Sequence, residues 1–91
     1  MSVTVRVPSQ LRTLSGGRAE LQVEGASVGE VLKALDAAHP GFADRLFDES
    51  GQLRRFVNVF VAEEDVRFLD GLETTVAEGQ TVSIVPAVAG G

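Results

Sequence analysis

The chain contains no cysteine. That excludes disulfides, thiolate metal sites, iron–sulfur clusters and any side-chain thiol nucleophile. If this protein handles sulfur, it does not do so on a side chain. No apolar run is long enough to span a bilayer. The start, Met1-Ser2-Val3-Thr4-Val5-Arg6, has no basic segment leading into an apolar stretch, so no signal peptide is expected, and the expected compartment is the cytoplasm. There is no basic excess either: the net charge is −5 and the pI is about 4.7. An acidic domain without a basic stripe is a poor nucleic-acid binder, and the same balance keeps a small protein soluble. Gly16-Gly17 lacks the Lys and Ser/Thr of a phosphate-binding loop. His39 is the only histidine, placed where it would interact with a helix C-terminus. Glu63-Glu64-Asp65, like Asp48-Glu49, has no neutral ligand nearby to complete a metal site, and reads as solvated turn carboxylates. No set of residues supports an enzyme, and no bound cofactor or metal is expected.

What is present suits one small domain of 91 residues, 44% of them hydrophobic. Val3, Val5 and Val7 alternate with polar residues up to Pro8, the pattern of a strand with one buried face. Ser15-Gly16-Gly17 signals a turn. Ala19, Leu21 and Val23 then alternate with Glu20, Gln22 and Glu24, so the two strands form a hairpin with a loop over Leu11 to Arg18. Gly25-Ala26 breaks the pattern, and Ser27 with Glu30 has the spacing of a capping box. Val28, Val31, Leu32 and Leu35 form a helical apolar stripe, which Pro40 stops near Ala38-His39. Ala43 to Phe47 is expected to make one short turn that seats Phe42, Leu46 and Phe47 on the core. Arg55 to Ala62 is the strongest strand, with Val57, Val59 and Val61 on one face and Phe56, Asn58 and Phe60 on the other. Glu63 to Asp65 reads as a turn and Val66-Arg67-Phe68 as a short strand. The last strand places Val82 and Ile84 inward. The order β-β-α-β-β-β predicts an α+β layer, a mixed five-stranded sheet with one main helix packed across it. The crossover is long enough to let non-sequential strands pair in parallel. That is the β-grasp arrangement of ubiquitin, over residues 1–86, followed by a flexible tail over 87–91.

The tail, Ala87-Val88-Ala89-Gly90-Gly91, follows directly on an apolar strand pattern, whereas a cloning scar more often follows a linker. Glycine lets a chain thread a tight channel and take φ values closed to other residues. An extended arm from Pro86 to Gly91 reaches at most about 20 Å, at roughly 3.3 Å per residue, enough to carry a terminal carboxylate into another protein's active site. Pro86 ends sheet pairing and stiffens the exit. For docking, Phe60 and Val85 fall on the outer face and form an apolar patch of the kind that marks a partner site. Phe56 shares that face, and Arg6, Arg55 and Arg67 flank it, placed to meet an acidic partner.

The element order together with the tail resembles the ubiquitin-like sulfur-carrier proteins of the ThiS/MoaD superfamily, over essentially the whole chain. The segments that carry the likeness are Phe56 to Val61, Glu64 to Arg67, Glu78 to Val82 and Pro86 to Gly91. Within that family, Arg55 to Asn58, Glu64 to Phe68 and the Pro-Ala-Val-Ala-Gly-Gly ending resemble the carriers that feed sulfide to an alternative cysteine synthase. A molybdopterin synthase small subunit more often reads Pro-Pro before its tail and Gly-Asp-Glu before its last strand. The resemblance implies that Gly91 is adenylated by a ubiquitin-activating-like adenylating and sulfurtransferase enzyme using ATP, then converted to a thiocarboxylate. It implies donation to a PLP-dependent cysteine synthase and a tail-clipping metallopeptidase as a further partner. A molybdopterin synthase large subunit as recipient is the first alternative. A protein modifier joined to lysines through Gly91 is the second, and an interaction module with an inert tail is the third.

Overall fold

A computed structural model describes residues 2–55 and 57–86. The expectations placed on Phe56 and on Ala87, Val88, Ala89, Gly90 and Gly91 lie outside the described residues. The elements are β1 (Ser2–Arg6), β2 (Glu20–Glu24), α1 (Val28–Ala38), α2 (Phe42–Leu46), β3 (Val57–Val61), β4 (Glu64–Asp65) and β5 (Thr81–Pro86), with short 3-10 turns at Ser9–Leu11, Val66–Phe68 and Gly71–Glu73. The sheet order is β2-β1-β5-β3-β4. β1 and β2 are an antiparallel hairpin that pairs Val3 with Val23 and Val5 with Leu21. β1 runs parallel to β5, and β5 and β4 are both antiparallel to β3.

Alternation in the sequence becomes two faces of this sheet, because successive strand side chains point to opposite sides. Val3, Val5, Leu21, Val23, Val57, Val59, Val61, Val82 and Ile84 are all buried in one cluster with Val28, Val31, Leu32 and Leu35 of α1. Burying apolar surface stabilises by roughly 25 cal/mol per Å², so the strands and the helix hold each other. Ala19 is exposed and lies just before β2.

α1 begins where its capping residues stand. Ser27 is the N-cap and its Oγ accepts from the Glu30 N–H at 3.3 Å. The Glu30 carboxylate reaches back one residue further than the capping-box pattern predicts, accepting from the Ala26 N–H at 3.1 Å. His39 is the C-cap residue, its N–H bonded to the Leu35 carbonyl at 2.8 Å. Asp36 fixes the joint to α2, since its Oδ1 accepts from the N–H groups of Gly41 and Ala43 at 3.1 and 2.9 Å. α2 then seats Phe42 and Leu46 in the core, with Phe47 packed against it. Gly25 has a steric reason: a Cβ there would lie 2.8 Å from the Val31 nitrogen and 2.9 Å from its Cγ2. The chain passes so close to the helix that only glycine fits.

One expectation is corrected. Val66-Arg67-Phe68 is a 3-10 turn and not a strand, and the strand lies one step earlier, at Glu64–Asp65. Asp65 explains the change: its carboxylate accepts from the Arg67 N–H at 2.8 Å, an Asx-type bond that competes with extended pairing. Val66 is buried while Phe68 is 87% exposed. The β3–β4 hairpin turns through Ala62 and Glu63, which both have positive φ, 51° and 71°.

Candidate functional site

With α1 covering one face of the sheet, the other face is open. Its residues are those the strand alternation turns outward: Arg6 on β1, Asn58 and Phe60 on β3, and Ser83 and Val85 on β5. The pairing fixes their positions. Ser83 stands between Arg6 and Phe60, and Val85 stands opposite Asn58. Phe60 and Val85 are therefore diagonal neighbours on adjacent strands, close enough for an aromatic ring to reach. Both line a shallow depression of about 730 Å³ that also takes in Arg6, Gln80 and Ser83. Val85 is 45% exposed and Phe60 half-buried.

The cations differ in what they do. Arg6 pairs with Glu20 at 3.4 Å, with both side chains more than half exposed, a geometry of little energetic consequence. Arg55 is exposed. The Arg67 guanidinium, by contrast, is engaged within the fold. Its Nη2 donates to the carbonyls of Arg54 and Val57, each at 2.8 Å, and its Nη1 donates to Asn58 Oδ1 at 2.5 Å. Sequence reasoning placed Arg67 near the patch but missed this bonding. It missed Phe68 as well, because a strand reading gave that residue no solvent-facing role. The signal that could have found both is Asp65, an Asx residue two positions before Arg67.

The described sheet ends at Pro86, which pairs with Val57. Of the patch residues, Asn58 and Val85 lie at that end, whereas Phe60 stands opposite Ser83, three residues back along β5 from Pro86. Among the described residues, no three His, Asp or Glu side chains cluster to hold a metal, and no helix is long and apolar enough to cross a membrane. Glu20 and Glu63 also line the depression, and Phe60 and Val85 give the face its apolar surface.

A mixed five-stranded sheet with a central parallel pair, crossed by one main helix, defines the ubiquitin-like β-grasp class. The chain belongs to the ThiS family, whose model matches residues 5–91. It is 47% identical over 93 residues to the sulfur carrier protein CysO of Mycobacterium tuberculosis, with the whole of both chains covered. The structure superposes on CysO of Amycolatopsis orientalis, solved as a BexX/CysO complex, with a TM-score of 0.92 and 47% identity, covering 98% of this chain and 99% of that one. The small archaeal modifier protein 3 of Haloferax volcanii is 43% identical over 68 residues, 75% of this chain and 73% of its own. The CysO relatives are carriers and not enzymes.

Proposed function

We propose that this protein is a sulfur carrier whose Gly91 becomes a thiocarboxylate for cysteine biosynthesis. The observation that carries the reading is the end-to-end match to CysO at 47% identity, in a family match that runs through Gly91. The chemistry follows from what a C-terminal carboxylate lacks. A carboxylate is a poor electrophile. Reaction with ATP on an activating enzyme gives an acyl-adenylate and releases pyrophosphate. Attack of a sulfide equivalent on that carbonyl expels AMP and leaves the thiocarboxylate. Its anionic sulfur is a soft nucleophile suited to an electron-poor carbon, such as the aminoacrylate that a PLP-dependent synthase makes from an activated serine. That attack forms the new carbon–sulfur bond and leaves the cysteine sulfur acylated by Gly91. The acyl group then passes from sulfur to the cysteine amino nitrogen, freeing the thiol and forming a peptide bond that a peptidase hydrolyses to release the product. This chain supplies no acid, base or metal; it acts as a co-substrate in the cytoplasm. The absence of cysteine means that no internal thiol competes for the activated terminus.

Docking is assigned to the open face. Phe60 and Val85 supply its apolar contact, Arg55 and, by the strand alternation of the sequence, Phe56 extend it, and the five residues Ala87 to Gly91 enter the partner's site. The complex formed by the A. orientalis carrier supports the idea that this kind of domain engages partners through a defined surface.

Deletion of Gly90-Gly91 tests the reading. The truncated chain should yield no cysteine when combined with ATP, a sulfide source, the activating enzyme, the synthase with its activated serine and the peptidase, while the full chain does. Equal yields from both would refute it. The likeness to an archaeal modifier protein supports a second reading, conjugation through Gly91 to lysines. It predicts a ladder of higher-mass species in cells that disappears with the same deletion.

A further inference from the structure

We infer that Arg67 is a positioning residue that fixes where the C-terminal segment leaves the sheet. The inference rests on the proposal that Gly91 is the reacting end. β4 pairs only with Phe60 and Val61, so Val57, Asn58 and Val59, the first three residues of β3, have no strand among the described residues on their outer side. Exposed edge carbonyls need a donor. Arg67 supplies one to Val57 at 2.8 Å, and it holds the side chain of the next residue, Asn58. Val57 and Asn58 pair with Pro86 and Val85, the last two described positions of β5. The second Nη2 contact, to the Arg54 carbonyl, ties in the turn that precedes β3, because that carbonyl also accepts from the Val57 N–H at 3.0 Å.

Arg67 is itself held from both sides. Its N–H is capped by the Asp65 carboxylate, and its neighbour Val66 is buried in the core. A continuous set of contacts therefore runs from Asp65 through Arg67 to Val57 and Asn58, and across the ladder to Val85 and Pro86. Three acceptors in different directions suit a planar guanidinium with donors in a fixed fork, and lysine's point charge cannot reproduce them. If the Val57–Pro86 pair frays, the arm starts one residue earlier, a shift of roughly 3.3 Å at its base. The reacting carboxylate is then delivered out of register, although Phe60 and Val85 still dock.

The test compares the full chain with Arg67→Lys, Arg67→Gln and Phe60→Ala. Amide hydrogen exchange is measured for each, together with the rate of sulfur acquisition at varied carrier concentration with ATP, a sulfide source and the activating enzyme. Both Arg67 variants should lose kcat by about tenfold or more, as expected for ångström-scale misplacement of a reacting group, with KM little changed. Phe60→Ala should instead raise KM. Exchange at Asn58 and Val85 should quicken in the Arg67 variants, while β1 and β2 stay protected. Retained kcat in Arg67→Lys would show that charge alone suffices and would overturn the inference. So would a raised KM with unchanged kcat, or exchange that quickens uniformly across the sheet. If the unmodified chain acquires no sulfur, the carrier proposal fails, and the exchange pattern alone decides whether Arg67 anchors this end of the sheet.

Discussion

The two faces of the sheet are built from the same strands and follow different rules. The inner face of β1, β2 and β3, with Val82 and Ile84 of β5, is Val, Leu and Ile, every one buried in the cluster that includes α1 and α2. The outer face mixes Arg6, Asn58, Phe60, Ser83 and Val85, all exposed or half-buried. A one-residue step along any strand moves from a position where volume decides stability to one where surface chemistry decides what can bind. The lesson is that stability and recognition are separable here, and substitutions on the two faces should report on different quantities.

The largest effect belongs to the inner layer. Phe42→Ala or Leu32→Ala, each at a fully buried position, should cost about 3–5 kcal/mol by denaturant unfolding. Val85→Ala on the outer face should cost less than about 0.5 kcal/mol yet weaken binding to the activating enzyme. A Val85 variant as unstable as the core variants would erase the distinction between the faces. Next comes Gly25→Ala, which must displace α1 from the sheet, since its Cβ would meet backbone at 2.8 Å. A loss of roughly 1–3 kcal/mol is expected, as for other overpacked sites, and an unchanged melting temperature would contradict it.

Glu63→Gly should act in the opposite direction. Glu63 sits at φ 71° beside Ala62 at φ 51°, where an L side chain costs roughly 1–2 kcal/mol and glycine does not. A gain of about 1 kcal/mol in unfolding free energy is expected, and a loss would show that the turn is not strained.

The smallest effect lies in the loop after α2, away from both faces. The Asp48 carboxyl is held below its usual value of 3.8. Its main cause is the hydrogen bond from the Ser50 hydroxyl at 2.6 Å, aided by the N–H groups of Gln52 and Ser50 and by the charge of Arg54 and opposed by some desolvation. The folded pKa lies below the unfolded one. Its contribution is therefore present above the unfolded value, near pH 4, and is lost as pH falls through the folded value. Asp48→Asn should remove a small part of the acid-side slope of stability and leave stability near pH 7 otherwise close to that of a surface substitution. An unaltered slope below pH 4 would remove the assignment.

Much of this was legible in the sequence, for physical reasons. Val57, Val59 and Val61 alternate with nothing to interrupt them, so strand and face followed together. Ser27, Glu30 and Pro40 marked both ends of α1, because capping and proline effects are local. The stretch from Ala62 to Phe68 was not legible. Ala-Glu is not a sequence that favours two positive φ values, and Val66-Arg67-Phe68 alternates as a strand would. Only the Asp65 carboxylate, by bonding to the Arg67 N–H, tips it into a 3-10 turn. The role of Arg67 depends on acceptors at Arg54, Val57 and Asn58 that the fold alone brings to it. The outer patch was readable as a list of residues, while its diagonal geometry needed the register of β3 on β5.

The most direct test of the carrier proposal is intact-protein mass spectrometry of the full chain after incubation with ATP, a sulfide source and an activating enzyme from the same cells. The expected result is replacement of one terminal oxygen by sulfur, localised by fragmentation to Gly91. An unchanged mass, with an activating enzyme shown to turn over ATP on this chain, would contradict it.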